Sequence, residues 1–267
     1  MNEKFEIGNA TLYNGDALEI LPALDVTVDA VISDPPYGVT SHAWDQAPPF
    51  DTMWQLFEAK TKQNANYVMF CCGGFTIDLI NSKRRWFRYD LVWAKNNKTG
   101  FLNANLIPLR NHENILVFGR PGFQKTATYN MIGDVHPSSI IVAKRDAKRP
   151  EECLHPTQKP ELLMCYLIKM YSNENDVILD PFSGSCTTGV AALRMNRRFI
   201  GIEREKKYFD IACERLEEAQ RRKERYKPRR TCADNSADAD QALAEEESTV
   251  PPAPEVNRED TESMGER

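Results

Sequence analysis

The sequence predicts an α/β fold with a doubly wound, mostly parallel sheet, and three observations support this prediction. Short apolar segments alternate with amphipathic ones through residues 10–226, as strands and helices do in such folds. The strand-like segments are apolar at nearly every position, which is typical of strands buried on both faces. Several of them end at an acidic residue, namely Asp16, Asp34, Asp180 and Glu203. Ligands bind at the carboxyl ends of parallel strands, so we expect a functional site there.

Each element follows from its local pattern. Strands are predicted at 10–16, 28–33, 66–72, 88–95, 112–119, 175–180 and 198–203. Helices are predicted at 17–24, 49–62, 75–85, 160–172, 186–196 and 204–226. Pro160 suits the first position of its helix. The polar segment 96–111 and the irregular segment 119–155 are predicted to be loops.

The charge distribution divides the chain into two parts. Residues 231–267 contain 11 acids and 2 bases, whereas residues 1–230 contain 28 acids and 32 bases. We therefore predict one folded domain over 1–228, with a short insert at 119–154, and an acidic disordered tail over 229–267. The mild basic excess of the folded part permits a polyanionic partner.

Cysteine usage and apolar run lengths indicate a cytoplasmic protein. The seven cysteines include no CxxC pair, so we expect neither a disulfide framework nor a structural zinc site. Residues 1–10 lack the apolar core of a signal peptide, and no apolar stretch is long enough to span a membrane. We expect no membrane partner.

The segment "DVILDPFSGSCTTGVAAL", residues 176–193, has the pattern of a ligand-binding turn. A buried strand ends at Asp180, small residues follow, and a helix is predicted to begin near Thr187. Small residues let a ligand approach the backbone, and a helix N-terminus offers free N–H groups to an anion. The segment contains neither GxGxxG nor GKS/T, which excludes the dinucleotide and P-loop motifs. The alternative is an ordinary strand-to-helix turn.

Glu203 ends the next predicted strand, roughly twenty residues after Asp180. An acid at this distance from a glycine-containing loop commonly accepts hydrogen bonds from both hydroxyls of a ribose. A lone acid at a strand end is more often simply solvated. The prediction that Glu203 binds a ribose therefore depends on its spacing from Asp180.

The tetrapeptide Asp34-Pro35-Pro36-Tyr37 follows the apolar strand 28–33. Its prolines keep the chain extended and cannot donate hydrogen bonds. The Asp34 carboxylate and the Pro35 carbonyl could then accept hydrogen bonds from an amino group, while Tyr37 stacks on a flat ring. This chemistry suits an exocyclic amine on a base taken out of a duplex. The alternative is a structural turn.

The hexapeptide "HPTQKP", residues 155–160, stands directly before a predicted helix. Thr157 and Lys159 could hold the carboxylate of a small ligand. A capped helix start with a charged side chain is the commoner meaning of such a segment.

In this order, the four motifs resemble the β class of DNA amino-methyltransferases over about residues 7–222. Further similarities are Trp44-Asp45, the "W.K" strand at 93–95 and the "HE..L.F" strand at 112–118. The resemblance implies a Rossmann-like fold with circularly permuted motifs, S-adenosylmethionine as the cofactor and double-stranded DNA as the partner. The resemblance does not decide whether the enzyme forms a homodimer or has a restriction endonuclease as a partner. It implies a location in the cytoplasm of a bacterial or phage-infected cell.

The resemblance also assigns roles to residues. It implies that residues 34–37 are catalytic and that Trp44 helps to stack the target base. The implied cofactor-binding residues are Asp16 at the adenine, Glu203 at the ribose, Thr157 and Lys159 at the methionine end, and Asp180, Phe182, Ser183, Gly184, Ser185 and Thr187 in the loop. The insert 119–154 would recognise DNA through Arg120, Lys125, Lys144, Arg145, Lys148 and Arg149.

Cys186 departs from the family pattern, which has glycine at this position. A Cβ there is expected to narrow the approach to the cofactor and to disfavour a positive φ. The short insert also offers little surface for reading bases.

The predicted reaction is methyl transfer to N6 of adenine, without a metal or a cysteine nucleophile. N4 of cytosine is the nearest alternative, although cytosine enzymes of this family usually have serine in place of Asp34. Protein-glutamine methyltransferases place a related NPPY after the cofactor loop, whereas here the tetrapeptide precedes it. A catalytically silent DNA-binding relative is the alternative outside enzymes.

Overall fold

A nine-stranded mixed sheet organises the residues that the computed structural model describes, which are 3–40, 45–144 and 158–225. Its strands are β1 (Lys4–Ile7), β2 (Ala10–Asn14), β3 (Val28–Ser33), β4 (Thr61–Cys71), β5 (Phe87–Thr99), β6 (Arg110–Phe118), β7 (Ile140–Val142), β8 (Val177–Asp180) and β9 (Arg198–Glu203). The helices are α1 (Ala17–Ala23), α2 (Phe50–Lys60), α3 (Gly74–Ser82), α4 (Glu161–Tyr171), α5 (Thr187–Arg194) and α6 (Lys206–Arg225).

The strand order is β1-β2-β9-β8-β3-β4-β6-β5-β7. The five central strands, from β2 to β4, are parallel to one another. β6 runs antiparallel to both of its neighbours, and β1 runs antiparallel to β2. The carboxyl ends of the parallel strands therefore share one edge of the sheet with the amino end of β6. We call this edge the carboxyl edge.

Helices cover both faces of the sheet, which confirms the predicted doubly wound α/β fold. One core cluster packs α4, α5 and α6 on one face, and a second packs α1, α2 and α3 on the other. β3 contributes side chains to both clusters. Ala30 and Ile32 belong to the first cluster, and Val31 belongs to the second. A strand buried on both faces needs an apolar residue at nearly every position, which is the pattern that the sequence shows.

The structure adds two strands that the pattern did not predict. β1 forms an edge hairpin with β2 and alternates between exposed and partly buried residues, so it lacks an apolar run. β7 has three residues and lies within the segment predicted to be irregular. β5 also continues to Thr99, into the polar segment. Edge strands need few apolar residues, so periodicity alone misses them.

Among the described residues, no helix is long and apolar enough to cross a membrane. Within the same residues, no group of histidine, cysteine and acidic side chains could hold a metal ion. The predicted tail at 229–267 lies outside the described residues, as does the end of the predicted insert, from residue 145.

Candidate active site

One cavity of about 350 Å³ opens at the carboxyl edge of the sheet. Its position follows from topology, because β2, β9, β8 and β3 are consecutive parallel strands whose ends converge there. Most of the predicted site residues line it, namely Asp16, Asp34, Pro35, Pro36, Tyr37, Lys159, Asp180, Phe182, Ser183, Gly184, Ser185, Thr187 and Glu203. Thr157 lies outside the described residues.

Glu203 ends β9 and is held by the backbone on both of its carboxylate oxygens. The N–H of Gly184 donates to one oxygen and the N–H of Glu205 to the other, each at 2.7 Å. Burial raises the pKa of this carboxyl to about 7, although both N–H groups oppose the shift. A fixed carboxylate in the cavity wall can accept hydrogen bonds from neighbouring hydroxyls of a ligand.

Asp180 organises the loop that follows β8. Its carboxylate accepts hydrogen bonds from the Ser33 hydroxyl (2.6 Å), the Thr188 hydroxyl (2.6 Å) and the Phe182 N–H (3.2 Å). Burial raises its pKa to about 6, against the effect of these three donors. Asp180 therefore ties the ends of β3 and β8 to the start of α5 and shapes the cavity from behind.

Arg215, on α6, fixes the other end of the same loop. Its guanidinium donates to the Ser185 carbonyl and hydroxyl and to the Thr187 hydroxyl, which accepts at 3.1 Å. The hydroxyls of these two predicted cofactor-binding residues thus accept hydrogen bonds from α6. No sequence motif linked this helix to the site. Each hydroxyl can still donate its own hydrogen, so Arg215 fixes the loop without blocking these side chains from a ligand.

Cys186 does not narrow the cavity, which corrects the expectation from the sequence. It adopts φ 61°, the left-handed conformation that favours glycine, and caps α5. Its side chain is fully buried in the core cluster of α4, α5 and α6. A Cβ added to Gly189, one turn along α5, would lie 2.5 Å from the Cys186 Sγ. The cysteine side chain therefore points into the helix packing and away from the cofactor cavity.

Asp45 holds the backbone at the end of the tetrapeptide 34–37 and just after it. This buried carboxylate accepts hydrogen bonds from four successive backbone N–H groups, those of residues 37–40, at 2.6–3.0 Å. Burial opposes its ionisation, but a hydrogen bond from the Thr40 side chain and those from the N–H groups of residues 38–40 outweigh that effect and lower the pKa of Asp45. The Tyr37 ring packs against Phe75, with ring centroids 5.0 Å apart. The corner after β3 is therefore rigid.

Asp34 is the end of a chain of charged side chains that are largely shielded from solvent. Tyr37 donates its hydroxyl hydrogen to one oxygen of the Asp34 carboxylate, and the Lys159 ammonium binds the other. Lys159 also lies 3.3 Å from the Glu113 carboxylate, which in turn binds Lys95. Burial raises the pKa of Asp34 while Lys159 opposes the rise. Burial lowers the pKa of Lys159, but the two acids outweigh it and raise that pKa, so the ammonium stays charged.

Glu113 and Lys95 were not predicted as site residues. β6 is antiparallel, so its first residues lie at the carboxyl edge, and there Glu113 pairs with Trp93 of β5. The "HE" and "W.K" motifs contained both residues, but the expected site consisted of acidic residues at strand ends. Glu113 lies near the start of its strand, and Lys95 is a base. Gln158 was also missed. It lines the cavity, and its buried side-chain oxygen has no hydrogen-bond partner among the described residues.

The cavity suits a ligand that combines a nucleoside with an amino acid. Asp16 lines one side and keeps its place by capping α1, where it accepts a hydrogen bond from the Leu18 N–H at 2.8 Å. Glu203 offers carboxylate oxygens beside it, and Gln158 offers an unpaired oxygen near Lys159. These acceptors match the amine, diol and ammonium donors of S-adenosylmethionine.

Two of the residues predicted to contact DNA lie at the opposite edge of the sheet. The guanidinium of Arg120 is buried, donates to the Thr61 hydroxyl at 3.1 Å and lies over the ring of Trp86. Near Lys125, Asn64 at the start of β4 binds the Thr126 carbonyl. The structure thus contradicts the assignment of Arg120 and disfavours that of Lys125.

The second half of the insert returns towards the site. β7 runs parallel to β5, so the exposed Lys144 that follows it lies at the carboxyl edge. Four other predicted DNA-contacting residues lie outside the described residues, namely Trp44, Arg145, Lys148 and Arg149.

Comparison with known proteins agrees with this geometry. Residues 28–214 match the family model for N6 and N4 methyltransferases, described as "DNA methylase". The chain is 29% identical to the type II methyltransferase M.HinfI of Haemophilus influenzae over 78% of its own length and 68% of the relative's. It is also 29% identical to the DNA adenine methyltransferase YhdJ of Escherichia coli K12, over 78% and 83% of the two chains.

Solved structures give the same result. The M1.HpyAVI–SAM complex superposes with a TM-score of 0.62 at 28% identity, covering 78% of this chain and 98% of that one. The cytosine-N4-specific PvuII DNA methyltransferase has a TM-score of 0.63 over 89% and 93% of the two chains, at 17% identity, which indicates a shared fold. The chain therefore belongs to the N6/N4 family of DNA methyltransferases, and its cofactor is S-adenosylmethionine.

Proposed function

We propose that this enzyme methylates N6 of adenine in double-stranded DNA after the base has left the duplex. The observation that carries the proposal is the position of Asp34. Its carboxylate lies at the end of β3 in the cavity that Glu203 also lines, so a target amine and a nucleoside cofactor can meet there. An amine inside a base stack could not reach such a recessed group.

Asp34 and the Pro35 carbonyl accept the two hydrogens of the target amine in this proposal. Their pull turns the nitrogen lone pair out of conjugation with the ring, and S-adenosylmethionine supplies the methyl group. A bond forms from the nitrogen to the methyl carbon as the bond from sulfur to that carbon breaks, which leaves S-adenosylhomocysteine. The methylated amine then loses one proton, which the Asp34 carboxylate accepts and passes to solvent. Positioning and charge placement by these acceptors account for the catalysis.

Tyr37 contributes the stacking surface. Its ring rests on Phe75 and its backbone is fixed by Asp45, so little entropy is lost when a base packs against it. Its hydroxyl occupies one Asp34 oxygen, and the arriving amine must take over that acceptor. Stacking on an aromatic ring recovers part of the cost of extruding the base.

Adenine is favoured over cytosine for two reasons. The relative from E. coli is named a DNA adenine methyltransferase, and cytosine enzymes of this family usually have serine where this chain has Asp34. Lys144, which lies at the carboxyl edge, is proposed to contact DNA phosphates. The same role is proposed for Arg145, Lys148 and Arg149, which follow it in the sequence, and Trp44 is proposed to stack on the target base.

The test is methyl transfer from isotopically labelled S-adenosylmethionine into unmethylated bacterial DNA, followed by digestion and nucleoside mass spectrometry. We expect N6-methyladenine with the wild type and no product with Asp34→Ala, which should bind the cofactor with unchanged affinity. N4-methylcytosine would replace the adenine proposal with its cytosine alternative. Undiminished turnover by Asp34→Ala would refute the assignment of the target-binding carboxylate.

A further inference from the structure

The β5–β6 connection forms an exposed arm beside the active site. We define the arm as residues 96–111, which comprise the end of β5, the connection and the start of β6. The connection contains a short 3-10 helix at Phe101–Asn103. Every residue from 96 to 108 is exposed. The sheet topology puts both of its ends at the carboxyl edge, where DNA must arrive to reach Asp34.

The tip of the arm is apolar, which is unusual for an exposed loop. Phe101, Leu102, Leu106 and Ile107 are 68, 102, 83 and 56% exposed. These four large apolar side chains lie within seven residues and form a patch. Because they are exposed to water, they add no stability to the isolated chain. Such a patch typically marks a contact surface.

The composition of the arm identifies the partner. It contains two bases, Lys98 and Arg110, five asparagines and no acid, in a chain with more acids than bases. Positive charge and side-chain amides suit phosphates and base edges, while exposed phenylalanine, leucine and isoleucine suit the faces of unstacked bases. A polyanion with apolar bases matches both halves of the arm.

The placement of the predicted insert adds a second reason. Arg120 is buried and Lys125 lies at the opposite edge, so the first part of the insert does not supply a surface beside Asp34. Among the described segments at the carboxyl edge, the arm is the one that combines positive charge with exposed apolar side chains.

We propose that the arm is a DNA-contacting element whose bases bind backbone phosphates and whose apolar tip packs against base pairs next to the extruded target. This inference rests on the proposed function, because an apolar tip gains contact area only where a base has left the stack. Partial unstacking by apolar side chains is a known way to hold distorted DNA.

The test compares full-length variants by their binding to sheared unmethylated bacterial DNA. The tip variant is Leu102→Ser with Leu106→Ser, and the matched control is Val135→Ser, which changes an apolar residue 58% exposed in the insert. We expect the tip variant to bind about tenfold more weakly, because it loses the apolar contacts of two side chains with the bases. The control should bind like the wild type, and all three should bind S-adenosylmethionine equally in calorimetry.

A second variant isolates the charge. Lys98→Ala with Arg110→Ala should weaken binding and reduce the slope of log affinity against log salt by about one for each lost phosphate contact. The tip variant should keep the wild-type slope, because it loses no charge.

The outcomes separate this inference from the proposed function. Unchanged DNA binding by both double variants, with a wild type that binds DNA, would overturn the role of the arm alone. A tip variant that binds DNA normally but changes from dimer to monomer in light scattering would identify the tip as a contact between copies of the chain. A wild type without affinity for DNA would overturn both proposals.

Discussion

The Lys159 ammonium binds the Asp34 carboxylate, although 125 residues separate the two in the chain. Lys159 stands just before α4 and Asp34 just after β3, so the packing of α4 beside the sheet brings them together. Lys159, which was predicted to hold the cofactor carboxylate, thus binds the group proposed to receive the target amine. The Lys159 ammonium favours the ionised form of Asp34, against the effect of burial on the pKa of that carboxyl.

The first prediction concerns Lys159→Met. Burial raises the pKa of Asp34 and Lys159 opposes the rise, so removal of the ammonium should raise that pKa further. Asp34 is proposed to act as a carboxylate, so activity is lost as pH falls through its pKa. The acid limb of the pH–rate profile should therefore move to higher pH in Lys159→Met, and Lys159→Arg should move it less. An unshifted limb in Lys159→Met would separate Lys159 from the ionisation of Asp34.

Glu113 positions Lys159 and balances Lys95, so Glu113→Gln should leave two buried ammonium groups with one carboxylate. Breaking a buried ion pair costs about 3–5 kcal/mol, and we expect a loss of stability of this order together with a lower kcat. Adding Lys95→Met restores the balance of charge and should recover most of the stability in denaturant titrations. Failure of the double variant to recover would mean that Glu113 acts through contacts other than charge.

Glu203 should make cofactor binding pH-dependent. The pKa of this carboxyl is raised from 4.5 to about 7 by burial, whereas ribose hydroxyls donate best to the ionised form. The dissociation constant for S-adenosylmethionine should therefore rise as pH falls from 8 to 6, with binding coupled to proton release. Calorimetry in buffers of different ionisation enthalpy measures this coupling. Glu203→Gln should bind more weakly at pH 8 and lose the pH dependence.

Two substitutions of Tyr37 distinguish the stacking of its ring from the hydrogen bond of its hydroxyl. Tyr37→Ala removes the ring and should weaken transition-state binding by ~1–3 kcal/mol, the typical value of one base–aromatic stack. Tyr37→Phe keeps the ring on Phe75 and removes the hydroxyl from Asp34, so a mild loss of kcat/KM is expected. Equal losses in the two variants would show that the hydroxyl dominates.

Cys186→Gly should leave cofactor affinity unchanged, because the side chain points into the core of α4, α5 and α6. The change relieves the left-handed conformation, which costs a residue with a Cβ roughly 1–2 kcal/mol, but loses the contacts of a buried thiol. We expect nearly unchanged stability and activity. Cys186→Ala loses the thiol without relieving the backbone, so it should be the less stable variant in thermal unfolding.

The sequence by itself determined the α/β class, the acids at the strand ends and their meeting at one edge of the sheet. Apolar runs specify buried parallel strands, and parallel strands place their last residues side by side, so local patterns were enough to locate Asp34, Asp180 and Glu203.

Tertiary structure alone decided which groups face one another. Glu113 reaches Lys159 because β6 is antiparallel, and Arg120 turns inward because it follows the opposite end of that strand. The direction of the Cys186 side chain likewise depends on the packing of α5. Contacts of this kind depend on strand direction and helix placement, which local periodicity does not encode.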